Sequence, residues 1–550
     1  MALDAKIRAN GRWSNPESDP KLQSLVVSRD TILRSLMEAC SKEDMCLFDV
    51  ASHPADDQQG RKKTNSSQAG KTLKSASGRP IGNKLSSLTA GQRGPLLLQD
   101  FTYIEEISHF DRERIPDRVV HAKGNGAFGY FEVTDDVTQY TKAKLFCEVG
   151  KRTPIAVRFS LAGADVGAAD TTRDIRGFAI KFYTEEGNWD LVGIHLPVFP
   201  IRDPINFPSF VHTQKRNPVT NLRPDLNMFW DFFALRPEST HLVLYLFSDE
   251  GIPESYRNID GFGVNTFKLV NESGDVFYCK FSYFTDQGKK FIFPDIATQL
   301  AGSDPDYYGR DLYNAIENGK YPSWTFYIQV MTPEETKSCS FNPFDPTKIW
   351  PENEYPLIKV GKLVLNKTTS NHFAEVEQIA FCPANLVPGI EVSPDKVLQG
   401  RIFSYLDTQR YRLGTNFFQL PVNCPFRSRP RNYERDGTAT VTDNQDGAPN
   451  YFPNSFGGPV EDPKAEESTF VVHGEAARYD TSNDDNFTQA GVFYRKRLNE
   501  GEKSRLVKNI VQSLSNAEQF IQERQIENFS QADPELGERV RIGLEREEEP

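Results

Sequence analysis

Between Gly94 and about residue 367 the chain runs in short stretches of alternating apolar and polar residues, broken repeatedly by Gly, Pro and Asp. A period of two sends successive side chains to opposite faces of an extended strand, so this body of the chain reads as β-structure. In TPIAVRFSLAG, Ile155, Val157 and Phe159 alternate with Ala156, Arg158 and Ser160, which puts Arg158 and Ser160 together on one face. A cation and a hydroxyl then share a wall. The run TFKLVNESGDVFYCKFSYF, residues 266–284, is two β-rich segments around Glu-Ser-Gly, a hairpin pattern that favours antiparallel pairing. LIKVGKLVLNK, residues 357–367, adds another strand.

The two ends have different textures. From about Ile379 to Glu500 periodicity fades and Pro, Asn, Asp and Gly rise. So long an irregular stretch is uncommon inside a compact domain and predicts a segment wrapped over its own core or over a neighbouring subunit. Beyond Asn499, Leu506, Ile510 and Leu514 recur every four residues, followed by Phe520 and Ile521, which predicts two or three amphipathic helices. Near the start, residues 61–90 hold seven basic and no acidic residues with few apolar ones, the composition of a disordered linker or tail. Residues 31–48, before it, have roughly helical apolar spacing and suggest a short helix.

Charge and cysteine usage remove several function classes. Acidic residues outnumber basic ones, 76 to 64, for a net charge of -12, which argues against a chain built to neutralise nucleic-acid phosphates. No stretch approaches the ~18 apolar residues of a membrane span, and the N-terminus lacks the apolar core of a signal peptide. The seven cysteines are odd in number and form no C-x2-C pair, so neither a zinc site nor a disulfide framework is indicated and a reducing compartment fits. The C-terminal GLEREEEP does not match the S-K-L type of peroxisomal address. With only 8 histidines, acid–base or metal chemistry has few imidazoles to use.

Two local constellations could carry chemistry. RVVHAKGNGAFGYFEV, residues 118–133, sets His121 before a Gly-rich turn, and on its own it reads first as an ordinary satisfied core histidine. Together with Arg158 and Ser160, though, Arg118 and His121 form a set able to hold an anionic cofactor edge while presenting one imidazole to a substrate. In LQGRIFSYLDTQRYRLG, residues 398–414, a helix would make Arg401 and Tyr405 an i, i+4 pair with Arg412 seven residues further on nearly the same face. That could be an exposed cation–aromatic stripe. It could also be a metal ligand, because a tyrosine of ordinary pKa about 10 binds metal as phenolate only beside a cation, and Arg401 is placed to supply one.

The runs FDRERIPDRVVHAKG, RFSLAG, RDIRGFAIKFYTEEGNWDLVG, IRDPINFPSFVHTQKRNP, GKYPSWTFYIQVMT, HFAEVEQIAF and GRIFSYLDTQRYRLG resemble the monofunctional haem catalases of the small-subunit class, over about residues 90–530. The resemblance implies an α+β catalase-like fold: an antiparallel eight-stranded β-barrel with a wrapping segment and a C-terminal helical region, assembled as a homotetramer. It divides the chain into a largely disordered N-terminal extension (1–88), the barrel core with the start of the wrapping segment (89–430), the remaining irregular region (431–498) and the C-terminal helices (499–545). It implies haem b with ferric iron and hydrogen peroxide as substrate, no nucleic-acid or membrane partner, and an intracellular setting, peroxisome or cytoplasm. Tyrosine is the general haem ligand of catalases, and Tyr405 matches it, with Arg401 keeping it phenolate. Arg118, Arg158 and Arg412 match the propionate-binding arginines, and Val120, Phe199 and Phe207 match apolar residues around the haem. His121 matches the distal histidine and Ser160 the hydroxyl that orients it. In that role His121 takes a proton from one peroxide oxygen and returns it to the other.

The chain departs from the family pattern in three places. After NWDLVG the family carries a distal asparagine whose amide bonds peroxide, and here the residue is Ile194, which cannot donate. Loss of a preorganised donor can cost on the order of 100-fold in turnover, so reduced dismutation is expected. The adjacent His195 should point to the opposite face, and Leu196 and Pro200 differ too. On the proximal side Asn265 stands between Arg401 and Asp395 where a histidine is usual. At the nicotinamide site His241 and Ser248 remain, but Glu250, Phe284 and Glu352 replace basic residues, which puts NADPH binding in doubt because carboxylates repel a 2′-phosphate. Two rival readings follow from Ile194: a weak or silent haem-binding paralogue, and a haem enzyme acting on organic hydroperoxides.

Overall fold

A computed structural model describes residues 72–472 and 474–548 of the chain, and the helix expected over 31–48 lies outside them. Ten strands form one antiparallel sheet: β1 (Gly124–Val133), β2 (Arg152–Leu161), β3 (Arg176–Thr184), β4 (Gly187–Ile194), β5 (Gly261–Phe262), β6 (Phe267–Val270), β7 (Val276–Thr285), β8 (Ser323–Met331), β9 (Ile358–Lys367) and β10 (Ile390–Val392). Their order is β10-β6-β7-β5-β4-β3-β2-β1-β9-β8, and a β7–β8 pairing closes eight of them into a barrel. β6 and β10 hang outside the ring, with β6 and β7 forming the expected hairpin.

Alternation sorts the side chains to two destinations. Ile155, Val157 and Phe159 of β2, Phe178, Ile180 and Phe182 of β3, and Trp189 and Leu191 of β4 fill the barrel interior with Phe131, Phe281, Trp324 and Phe326. Phe182 stacks on Trp189 at 4.4 Å, and Phe131 meets Phe146, Phe182 and Phe326 edge-on. Such ring pairs add about 0.5–1.5 kcal/mol beyond simple burial, so the high Phe content is spent as barrel filling. The intervening residues, Arg158 and Ser160 of β2, Gly177 and Ala179 of β3, and Val192 and Ile194 of β4, face outward, and there they build the site.

The outer wall is covered rather than exposed. Lys181 and Asp190, opposite each other on β3 and β4, make a fully buried ion pair at 2.7 Å. Asp190 also accepts from the Cys382 backbone and the Asn385 amide, tying the segment after residue 378 to the barrel.

Six helices matter for the site and the end of the chain. α1 (Phe207–Thr213) and α2 (Thr240–Phe247) lie between β4 and β5, and α3 (Lys396–Leu413) lies inside the stretch where periodicity fades. α3 begins where Asp395 accepts from the Leu398 N–H and ends at Gly414, whose φ of 99° favours glycine. Over residues 414–472 and 474–487 the chain is irregular and largely exposed. It is followed by α4 (Glu500–Leu514), α5 (Gln519–Ala532) and α6 (Pro534–Glu548). Asn499 and Glu502 cap α4 reciprocally, and Leu506, Ile510 and Leu514 are all buried against Trp230, Leu242 and Phe247 in a second core. Of the segment expected to be an extension, residues 72–88 form exposed turns with a Lys74–Pro80 bridge and an Ala76 N–H bond to Glu105. Cys147, Cys279, Cys339, Cys382 and Cys424 are free thiols. Among the described residues no helix is long and apolar enough to cross a membrane.

Candidate active site

The outward face of β2, β3 and β4 presents one row of residues in register: Ser160 pairs with Gly177, and Gly177 with Ile194. His121 lies on this row. Its backbone φ is 63°, a left-handed value unusual for a side chain of this size. Both of its backbone groups are pinned, the N–H to the Ala162 carbonyl at 3.0 Å and the carbonyl to the Arg158 guanidinium at 2.7 Å. The ring Nδ1 lies 2.9 Å from Ser160 Oγ. Gly177 makes this pairing possible, since a Cβ there would sit 2.3 Å from Ser160 Oγ and 2.5 Å from His121 Nδ1.

Burial, reinforced by the charges of Arg158, Arg401 and Arg118, pushes the His121 imidazole down to about 3. It is therefore neutral at ordinary pH, as an acid–base group must be before it takes a proton. His195 and His241 are likewise buried and held at about 3, chiefly by desolvation. In an unfolded chain all three would titrate near 6.5, so below that pH the unfolded state binds more protons than the folded one. Stability from these groups is present in full above about 6.5 and is lost as pH falls toward 3. Denaturant midpoints measured from pH 7 to pH 4 should fall steadily, and a His241→Phe variant, set among Tyr245 and Phe493, should show a shallower fall.

Three guanidinium groups converge beside His121. Arg158 donates to the carbonyls of His121 and Ala122, yet its buried Nε has no partner. Arg118 donates to the carbonyls of Val376, Glu377 and Ile379, and Arg412 to those of Glu377 and Ile379. The carboxylate in contact with them is Glu377, 3.3 Å from Arg118. Burial, then Arg118, holds Arg158 well below the usual arginine range and Arg412 down to about 9. Cations this buried and this short of counter-charge want a bound anion, and two propionates would satisfy them. The residues present fit a haem edge.

On α3 the i, i+4 geometry is realised. Arg401 lies 3.2 Å from the Tyr405 hydroxyl, with its guanidinium 5.2 Å above the ring. It also donates to the Val192 carbonyl of β4 at 2.8 Å and to Asn265 Oδ1 at 2.5 Å. Asn265 Nδ2 donates to Asp395 Oδ2 at 2.8 Å, so the amide bridges guanidinium and carboxylate. The same Asp395 caps α3 with its other oxygen. Phe199 and Phe207 stack at 6.4 Å beside the second core, and Val120 is half-buried next to His121.

Ile194 ends β4, nearly buried, and presents only hydrocarbon at its place in the row. His195 is turned from it, with both ring nitrogens engaged by backbone groups of Arg176 and Glu250. Around His241 and Ser248, Glu250 is paired with Arg497 at 3.1 Å and Lys289 at 3.4 Å, Phe284 packs edge-on against Phe262, and Glu352 is exposed. These residues do not fit a 2′-phosphate. Reading the residues alone overlooks Gly177 and the carbonyls of Val376, Glu377 and Ile379. A glycine inside a strand, as in RDIRGFAIKF, is the signal that could have flagged the first, because it marks a close approach.

The family model described as Catalase matches residues 74–458, beginning earlier than the motif-rich stretch, and that described as Catalase-related immune-responsive matches 480–544. Pig (Sus scrofa) catalase is 58% identical over 494 residues, covering 90% of this chain and 94% of the pig protein. Drosophila melanogaster catalase is 59% identical over 468 residues, covering 84% and 92%. The solved structure of catalase A from Saccharomyces cerevisiae superposes with a TM-score of 0.84 at 46% identity, covering 86% of this chain and 99% of that one.

Proposed function

The chain belongs to the catalase family and is an oxidoreductase acting on hydrogen peroxide, and from that we propose a haem b enzyme in which His121 is the acid–base group, Tyr405 the iron ligand, and Ile194 the limit on turnover. The observation that carries the reading is the neutral His121 imidazole held by Ser160 beside three anion-seeking arginines and the Arg401–Tyr405 pair. Haem, when bound, would supply two-electron redox chemistry at ferric iron. Arg118, Arg158 and Arg412 hold its propionates, while Val120, Phe199 and Phe207 shield its apolar surface from water. Arg401 donates to the Tyr405 oxygen that would meet the iron.

For His121 to accept a proton at Nε2, its Nδ1 must carry the other hydrogen and donate to Ser160 Oγ. Nε2 then takes a proton from one peroxide oxygen and returns it to the other, which leaves as water. The oxygen left behind departs as the second water with the two protons and two electrons that a second peroxide gives up as it leaves as oxygen, so two peroxides yield two waters and one oxygen. Ile194 gives no hydrogen bond to either oxygen, which lowers the rate without removing the base.

The test is oxygen evolution from hydrogen peroxide by protein with a ferric haem spectrum. Ile194→Asn should raise the rate, on the order of 100-fold or more by the usual worth of a preorganised donor. Unchanged turnover in that variant would remove Ile194 as the limitation, and a haem-loaded wild type that evolves no oxygen would refute the enzyme. We further propose a homotetramer, supported by the exposed Phe403 and Tyr411 on α3 and the exposed run Phe470–Val472. Glu250, Phe284 and Glu352 argue against NADPH, because none of these side chains attracts a 2′-phosphate where the family carries basic residues. The setting is intracellular, in keeping with the family, in peroxisome or cytoplasm.

A further inference from the structure

The β3–β4 ladder ends at the Gly177–Ile194 pair, where β4 leaves the barrel. Arg176, just before Gly177, is fully buried and would be left there with an amide group lacking a strand partner. His195 supplies both missing partners. Its backbone N–H donates to the Arg176 carbonyl at 2.9 Å, and its ring Nδ1 accepts from the Arg176 N–H at 2.9 Å. The opposite nitrogen, Nε2, donates to the Glu250 carbonyl at 3.0 Å, which fixes the tautomer from both sides. The Arg176 side chain in turn donates to the Gly251 and Asp170 carbonyls, each at 2.9 Å. Glu250 and Gly251, consecutive in the chain, therefore anchor His195 and Arg176 together.

This clamp lies one residue from the floor of the site. Gly177 is the surface on which His121 and Ser160 meet, with no room there even for a methyl group. A contact that tight leaves the imidazole no slack if residue 177 moves. A displacement of about 1 Å can cost a reaction on the order of 100-fold. We propose that His195 is a positioning residue for the peroxide reaction: its ring holds Arg176 to β4 and so holds Gly177 beneath the His121–Ser160 pair. The proposal rests on His121 being the acid–base group.

The experiment uses the full haem-loaded chain and two variants. H195F keeps the volume of the ring and removes both hydrogen bonds. H195Q keeps one acceptor for Arg176 and one donor for Glu250. Besides peroxide consumption, the readout is the rate of cyanide binding, which requires a distal base to take the proton of HCN, with thermal melting to follow the fold. H195F should slow both rates at least tenfold and H195Q should restore them. Wild-type cyanide binding in H195F overturns the proposal. So does a folded H195Q that binds cyanide tenfold more slowly than wild type, whether or not H195F can be obtained. A His121→Ala control separates the two levels, since unchanged cyanide binding there would refute the acid–base assignment itself.

Discussion

His121→Ala is expected to lower peroxide turnover by roughly 10²- to 10⁴-fold, the usual worth of a positioned proton carrier. The loss should be near the upper end because the two other deeply buried imidazoles, His195 and His241, are committed elsewhere. His195 has both nitrogens committed to backbone groups, and His241 belongs to the Tyr245–Phe493 cluster. The ferric spectrum should persist, since Arg118, Arg412 and Tyr405 are untouched. Loss of the His121 ring also removes the partner of Ser160 Oγ, so Ser160→Ala should cost less than His121→Ala. Oxygen evolution by the two variants at matched haem content is the measurement. Turnover within tenfold of wild type in His121→Ala would refute the assignment.

Gly177→Ala, the smallest side-chain addition possible, should be nearly as damaging. The new methyl carbon would meet Ser160 Oγ at 2.3 Å, His121 Nδ1 at 2.5 Å and His121 Cε1 at 2.8 Å, distances no real packing holds. The methyl group contacts His121 and Ser160 at once, so relief requires the imidazole, the serine or β3 itself to shift. A shift of about 1 Å is enough for a loss on the order of 100-fold in turnover. Overpacking of this kind typically costs about 1–3 kcal/mol of stability, so the protein should still fold and load haem. Denaturant melts alongside oxygen evolution separate the two effects. If Gly177→Ala turns over peroxide like wild type, the His121–Ser160 pair does not need the floor described for it.

What could be read in advance depended on whether a residue's role was local. The alternation in β2 put Arg158 and Ser160 on one face, and the 266–284 hairpin and the α4 stripe of Leu506, Ile510 and Leu514 carried their own periods. Helix α3 was visible only conditionally, through the Arg401–Tyr405 spacing. Its Phe403 and Tyr411 are exposed while Val397 and Leu398 are buried, so no single apolar face announces it. The carbonyls that receive Arg118 and Arg412 carry no side-chain signature at all, and the partners of Arg401 come from β4 and from residue 265, far away in the chain. Pairings of that separation are set by barrel closure. The orientation of His195 was legible from strand alternation, but not its grip on Arg176, which depends on where the ladder stops.

The Arg401–Asn265–Asp395 line has a consequence for the metal side of the site. Its middle member is a carboxamide, which neither gains nor loses a proton in any ordinary pH range. Asp395 can fix where Arg401 stands, but it has no titrating go-between through which to pass a proton to it. The line therefore couples the two residues mechanically without offering a path for a proton. With Tyr405 as the proposed iron ligand, no proton can pass from Asp395 toward its oxygen along this line.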